Sequence, residues 1–176
     1  LPPDLQISYR VDFENLDTAT APAQVVTIRD PLSGDLDLAT FELAEVGFGD
    51  VLVSVPPDRQ VFETTVDYIY TDDDYDFEIE VQIEAWLEDD TVYVNFLSID
   101  PETDLPPQDV GIGFLPPENE TGRGQGHVSY LIKPKADLPD ATEIHNVATV
   151  QFDFGVSIDT NQVDPEDPGQ GTDPEK

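Results

Sequence analysis

The stretch Tyr75-Asp76-Phe77-Glu78-Ile79-Glu80-Val81-Gln82-Ile83-Glu84-Ala85 alternates apolar and polar residues without a break. In an extended chain successive side chains point to opposite faces, so Tyr75, Phe77, Ile79, Val81, Ile83 and Ala85 form one apolar face. A helix at 3.6 residues per turn would scatter the same six around its circumference. The segment is a half-buried strand. Trp86, the single tryptophan, follows out of phase with the apolar set, which predicts a rim position. Glu88-Asp89-Asp90 then interrupts the pattern and Thr91 to Ser98 resumes it, so residues 75–98 are read as a hairpin.

The same period recurs outward from this hairpin. Leu5, Ile7, Tyr9, Val11 and Phe13 alternate with polar residues, and further strands are predicted at 24–29, 36–43, 48–55, 62–70, 126–133 and 142–154, about nine in all. Turn chemistry separates them at Asp30-Pro31-Leu32-Ser33-Gly34-Asp35, at Pro56-Pro57-Asp58, and from Lys133-Pro134 to Pro139-Asp140. Many short strands, Pro-rich turns and no amphipathic helix predict an all-β, antiparallel two-sheet sandwich. Residues 1–160 are expected to form one module, and 161–176, rich in Asp, Pro and Gly without an aromatic, a linker or tail. Residues 100–125 break the pattern as a long acidic loop with apolar anchors Phe114 and Leu115. A loop of that length calls for a function or an ion to order it.

Charge narrows the function classes. Seven Lys plus Arg stand against 39 Asp plus Glu, a formal charge of -32. Nucleic acid and anionic membrane surfaces would meet a polyanion, so neither is an expected partner. No apolar run is long enough to cross a bilayer as a helix, so membrane insertion is not expected. The chain has no cysteine, which removes disulfides, thiolate metal sites and thiol catalysis. Its start, Leu1-Pro2-Pro3-Asp4, reads as that of a processed piece of something longer.

So many carboxylates repel one another, and salt or divalent cations are the expected remedy. Between residues 60 and 122 there are 18 acids and no Lys or Arg. Carboxylate and carbonyl oxygens suit calcium, which is the expected cofactor. Candidate ligands are Asp100, Glu102, Asp104 and Asp109 in the long loop, then Asp72, Asp74 and Asp76 ahead of the long strand. The stretch holding Asp159, Asn161, Asp164 and Asp167 is a third. The plainer reading of each is a metal-free turn, a solvated acidic connector or an acidic linker. Asp100-x-Glu102-x-Asp104 copies the opening of a helix-loop-helix calcium loop, but Leu105 and Gly111 stand where that loop needs glycine and a closing glutamate. That specific loop is excluded.

Catalytic signatures are weak. His127 and His145 lack zinc spacing, Ser129 has no Gly-x-Ser-x-Gly elbow, and Gly122-x-Gly124-x-Gly126 reads as a flexible lead into a strand, not a phosphate loop. With acids this abundant, no pair of carboxylates stands out for glycoside hydrolysis. Asn119-Glu120-Thr121 matches the N-glycosylation pattern, usually by chance in a bacterium.

Tyr9-Arg-Val-Asp-Phe-Glu-Asn15, Thr18 to Asp30 and Thr142-Glu-Ile-His-Asn-Val-Ala-Thr-Val150 together resemble the conserved-repeat immunoglobulin-like modules of bacterial and archaeal surface proteins. Ile99 to Pro107, Gly113-Phe-Leu-Pro-Pro117 and Ile132-Lys-Pro-Lys135 are similar to a longer variant found in large, secreted, calcium-associated proteins. The resemblance covers nearly all of residues 5–161. It implies an immunoglobulin-like sandwich, an extracellular or cell-surface setting, no catalysis, and neighbouring modules or like subunits as partners. Members often carry Thr-Gly where this chain has Asp89-Asp90 and Thr103-Asp104, an extra demand for cations or an adaptation to salt.

Three functions follow as expectations. The leading one is a non-catalytic, calcium-stabilised structural or adhesive module. A carbohydrate-binding module would stack sugars on Trp86 and Tyr93, with Tyr68 and Tyr70 as further candidates, and surface polysaccharide as partner. A filament subunit would add an extended terminus to a neighbouring copy.

Overall fold

The computed structural model describes residues 5–72 and 75–162, with side chains for all of these except 70–72, 75 and 76. Ten strands are present among them: β1 (Ile7–Glu14), β2 (Val25–Pro31), β3 (Leu36–Phe48), β4 (Val51–Ser54), β5 (Val61–Asp72), β6 (Tyr75–Glu88), β7 (Thr91–Ile99), β8 (Gln125–Pro134), β9 (Thr149–Phe152) and β10 (Ile158–Asp159). One sheet has the order β1-β8-β3-β4, the other β10-β9-β2-β7-β6-β5, and every pairing is antiparallel. The predicted two-sheet sandwich is the observed fold, and it fits a generic immunoglobulin-like module.

Alternation in the sequence becomes layering in space. Ile79, Val81, Ile83 and Ala85 of β6, Val92, Val94 and Phe96 of β7, and Val26 and Ile28 of β2 are buried from one sheet; Val11, Phe13, Leu43, Val46, Phe48, Val128, Tyr130 and Ile132 meet them from the other. The Phe96 ring lies edge-on to Phe13 at 5.3 Å and to Phe48 at 6.3 Å, so aromatic packing ties the two layers directly. The predicted hairpin is β6–β7, with Glu88 opposite Thr91. Asp89 (φ 47°) and Asp90 (φ 61°) form its two-residue loop, the left-handed pair that a primed turn requires.

Two strand boundaries differ from the expectation. β3 runs on to Phe48, and the reversal is at Gly49-Asp50, where Gly49 has φ 52°. The register of β3 against β8 shifts between Asp37 and Glu42 and again between Leu43 and Glu45. Each shift breaks the period of two, which is why the reading ends this strand at Leu43, short of Phe48. The predicted strand 142–154 is laddered only at Thr149–Phe152. Ala148 exchanges bonds with Thr160, its N–H to Oγ1 at 3.1 Å and its C=O from the Thr160 N–H at 2.8 Å, while residues 143–147 run beside a groove with no ladder neighbour among the described residues.

Candidate functional site at the loop end of the sandwich

The long loop between β7 and β8 packs onto the sandwich as part of it. Phe114 and Leu115 have no exposed surface. The Phe114 ring stacks on Phe96 at 5.7 Å and meets Phe48 edge-on at 5.2 Å, plugging the open end of the core. Polar clamps surround the plug. The side-chain amide of Gln24 donates to the carbonyls of Pro107, Asp109 and Ile112 at 2.9–3.1 Å. That of Asn15 donates to Ala21 and Leu115, Ser98 Oγ accepts from the Phe114 N–H, and Ala23 pairs with Leu115 through both backbone groups. A Cβ on Gly113 would lie 2.5 Å from the Ala23 carbonyl oxygen, so only glycine lets the loop approach Ala23 this closely.

Glu118 closes the far side of the loop. Its two carboxylate oxygens accept the N–H groups of Gly122 and Gly124 at 2.9 Å each. Burial pushes its pKa up, but N–H groups of Gly122, Gly124, Asn119 and Glu120 outweigh that and hold it below the usual glutamate range. The glycine run read as a flexible lead is tight instead. A Cβ on Gly124 would fall within 3 Å of the Glu118 nitrogen and of the Pro116 and Asn15 oxygens, and one on Gly126 would collide with the Phe13 ring. Protein groups therefore supply the order that the length of the loop demanded.

The candidate calcium ligands of the loop are engaged locally. Asp100 Oδ1 accepts the Glu102 N–H and Asp109 Oδ1 the Gly111 N–H, both at 2.8 Å, each capping its own turn, while Glu102 and Asp104 are exposed. Among the described residues no group of three or more His, Asp or Glu side chains converges to hold a metal. Register sets Asp72 opposite Tyr75 and Thr71 opposite Asp76, at the ends of β5 and β6. The Asp72 and Asp76 side chains, all of Asp74, and Asp164 with the rest of 163–176 lie outside the described residues. Asp159 accepts the Thr149 hydroxyl at 3.0 Å.

Trp86 and Tyr93 face outward as cross-strand partners, half-buried, with rings stacked at 5.2 Å and 15°. Arg29, opposite Tyr93 on its other side, places its guanidinium 5.5 Å from that ring's centre. Both faces of Tyr93 are thus covered. Tyr68 packs edge-on against Phe48, inside the sandwich, and the Tyr70 side chain is not described. His127 bonds Glu45 across β3–β8 at 2.8 Å, and His145 lies exposed, 3.4 Å from Glu143.

One polar cluster escaped the sequence reading. Asp30, read as a turn residue, is fully buried; its Oδ2 accepts the Tyr130 hydroxyl at 2.5 Å and the Asn146 amide at 3.0 Å. Its Oδ1 and the Asn146 Oδ1 have no partner. Burial raises the Asp30 pKa, only partly offset by the two donors; burial and then the Asp30 charge push the Tyr130 hydroxyl up. The sole cue was an acid in phase with the inward residues Val26 and Ile28. Asn146 also lines a groove of about 1410 Å³ that runs between β1 and residues 144–150.

A family model described as a domain of unknown function, DUF7619, matches residues 71–166, from the end of β5 past the end of β10. No curated protein and no solved structure matches the chain. With more than half of its length inside that model, the chain belongs to the DUF7619 domain family.

Proposed function

We propose that this chain is a non-catalytic structural module of a secreted or cell-surface multi-domain protein, of the conserved-repeat immunoglobulin-like kind. The observation that carries the reading is the clamped loop. A segment of some 25 residues that would serve an enzyme as a lid is fastened by Gln24, Asn15 and Ser98 and plugged into the core by Phe114 and Leu115. A stiff bead suited to bearing load or setting distance needs its ends fixed in this way. In this reading residues 161–176, rich in Asp, Pro and Gly, serve as a linker or tail.

Cations support the module through its charge. A formal charge of -32 opposes compaction, and calcium is the counter-ion we assign to Asp72, Asp74 and Asp76 and to the Asp159–Asp164 stretch. A site with a dissociation constant of about 10⁻⁴ M, at calcium about a hundredfold higher, adds roughly 2.7 kcal/mol. The carbohydrate-binding alternative has less to stand on, since Tyr93 is covered on both faces and Trp86 on one. Limited proteolysis in chelator tests the module reading: resistance across 105–124 is expected. Rapid cleavage there, with the rest still folded, would mean a mobile loop and overturn it. Calorimetry with calcium and then with sodium chloride tests the counter-ion, since monovalent salt replaces screening but not coordination.

A further inference from the structure

We propose that β1 is a self-complementary edge through which two copies of this chain pair antiparallel about Val11, a contact that neither the module reading nor its cations require. Among the described residues, β1 has a neighbour on one side only, β8. The Asn15 N–H donates to Gly124 at the end of that ladder, so odd-numbered residues of β1 turn their backbone groups toward β8. Ser8, Arg10, Asp12 and Glu14 present theirs to the open edge, and Ser8, Arg10 and Asp12 are exposed. The groove beside β1 keeps residues 144–148 from filling that edge.

An unpaired strand is a template for another strand unless its side chains forbid it. Those of β1 favour its own copy. With Val11 on the two-fold axis, Arg10 faces Asp12 of the second copy, Asp12 faces its Arg10, and Tyr9 faces its Phe13. Arg10 and Asp12 already lie 2.8 Å apart within one chain, with side chains 54% and 66% exposed, so both are free to exchange that bond for the intermolecular one. The other edges offer nothing comparable. β5 carries Glu63 and Asp67 and no base, so no copy of it can supply an attractive charge; β4 has four uncharged residues and β10 only two. A two-fold contact uses the same patch on both copies, so it closes at a dimer and does not propagate as a filament.

Sedimentation of the full chain over about 1–100 μM protein in about 0.15 M salt tests the pairing. The wild type is expected to dimerise. Because each copy is strongly negative, dimerisation should strengthen as salt rises, before very high salt weakens the ion pairs. Arg10→Asp sets Asp against Asp and Asp12→Arg sets Arg against Arg, and either alone should weaken dimerisation about tenfold or more. An equimolar mixture of the two variants restores both opposite-charge pairs and should restore the dimer. A wild type monomeric throughout, a dimer indifferent to both substitutions, or a mixture no tighter than its components would each overturn the proposal. Thermal melts of both variants establish that they remain folded.

Discussion

Residues 100–124 and residues 142–152 flank the same sandwich and reverse what their sequences suggest. The first has the Pro and Gly content of a loop, yet Gln24, Asn15, Ser98 and Glu118 take up its backbone groups and Phe114 sits in the core. The second alternates like a strand, yet only Thr149–Phe152 is laddered, because β1 lies across a groove and is not alongside. Local composition reports which face of a segment is apolar. Whether the segment is held depends on partners for its N–H and C=O groups, which arrive from elsewhere in the chain.

The largest test of that contrast is Phe114→Ala, which empties the plug; a loss of about 3–5 kcal/mol in denaturant melts is expected, as for a fully buried aromatic. A loss below about 1 kcal/mol would mean that the loop does not seal the core. Gln24→Ala removes three bonds to loop carbonyls and should lower stability by about 2 kcal/mol, with amide exchange quickening around 107–113 more than in β6.

Asp30→Asn probes the other flank. Its pKa is raised by burial, so the folded state holds the proton more tightly than the unfolded chain does at about 3.9. The stability associated with that proton is fully present below the unfolded value and is lost as pH rises through the folded one. Asparagine is neutral at every pH and can put a donor in place of the unpartnered Asp30 Oδ1, in the cluster where the Asn146 Oδ1 also has no partner. It is expected to stabilise by about 1 kcal/mol at pH 7 and by less near pH 4, with urea melts at the two pH values as the measurement. Equal effects at both would show that Asp30 does not titrate in this range. The smallest change comes at the turn between β6 and β7. Asp89→Asn with Asp90→Gly should add about 0.5–1 kcal/mol, since both positions have positive φ and the pair also removes charge.

Much of the architecture was legible because a period of two survives wherever a strand is regular. Tyr75 to Ala85 and Thr91 to Ser98 map onto β6 and β7, and the acidic turn between them onto a primed two-residue loop. The β3–β4 reversal was misplaced because register shifts scramble the phase near Leu43. Trp86 was expected at the rim. It stands on the outer face of the sheet between Val61 and Tyr93, a placement that depends on cross-strand register and not on its own sequence. Loop acids were legible as acids but not as turn caps, since Asp100 and Asp109 bond to groups two residues away that any carboxylate could reach. Asp30 was hidden by its neighbours: next to Pro31 it looks like a turn, and only Tyr130, a hundred residues on, gives it a reason to be inside.

Hydrogen exchange on the intact protein in chelator compares the two flanks in one measurement. If protein contacts hold the long loop, the bonded amides of Ile112, Phe114, Leu115, Gly122 and Gly124 will be protected nearly as well as β7, while those of 143–147 will exchange orders of magnitude faster. Fast exchange at those loop amides, slowed only when calcium is restored, would contradict the account and assign the order of this end to the metal.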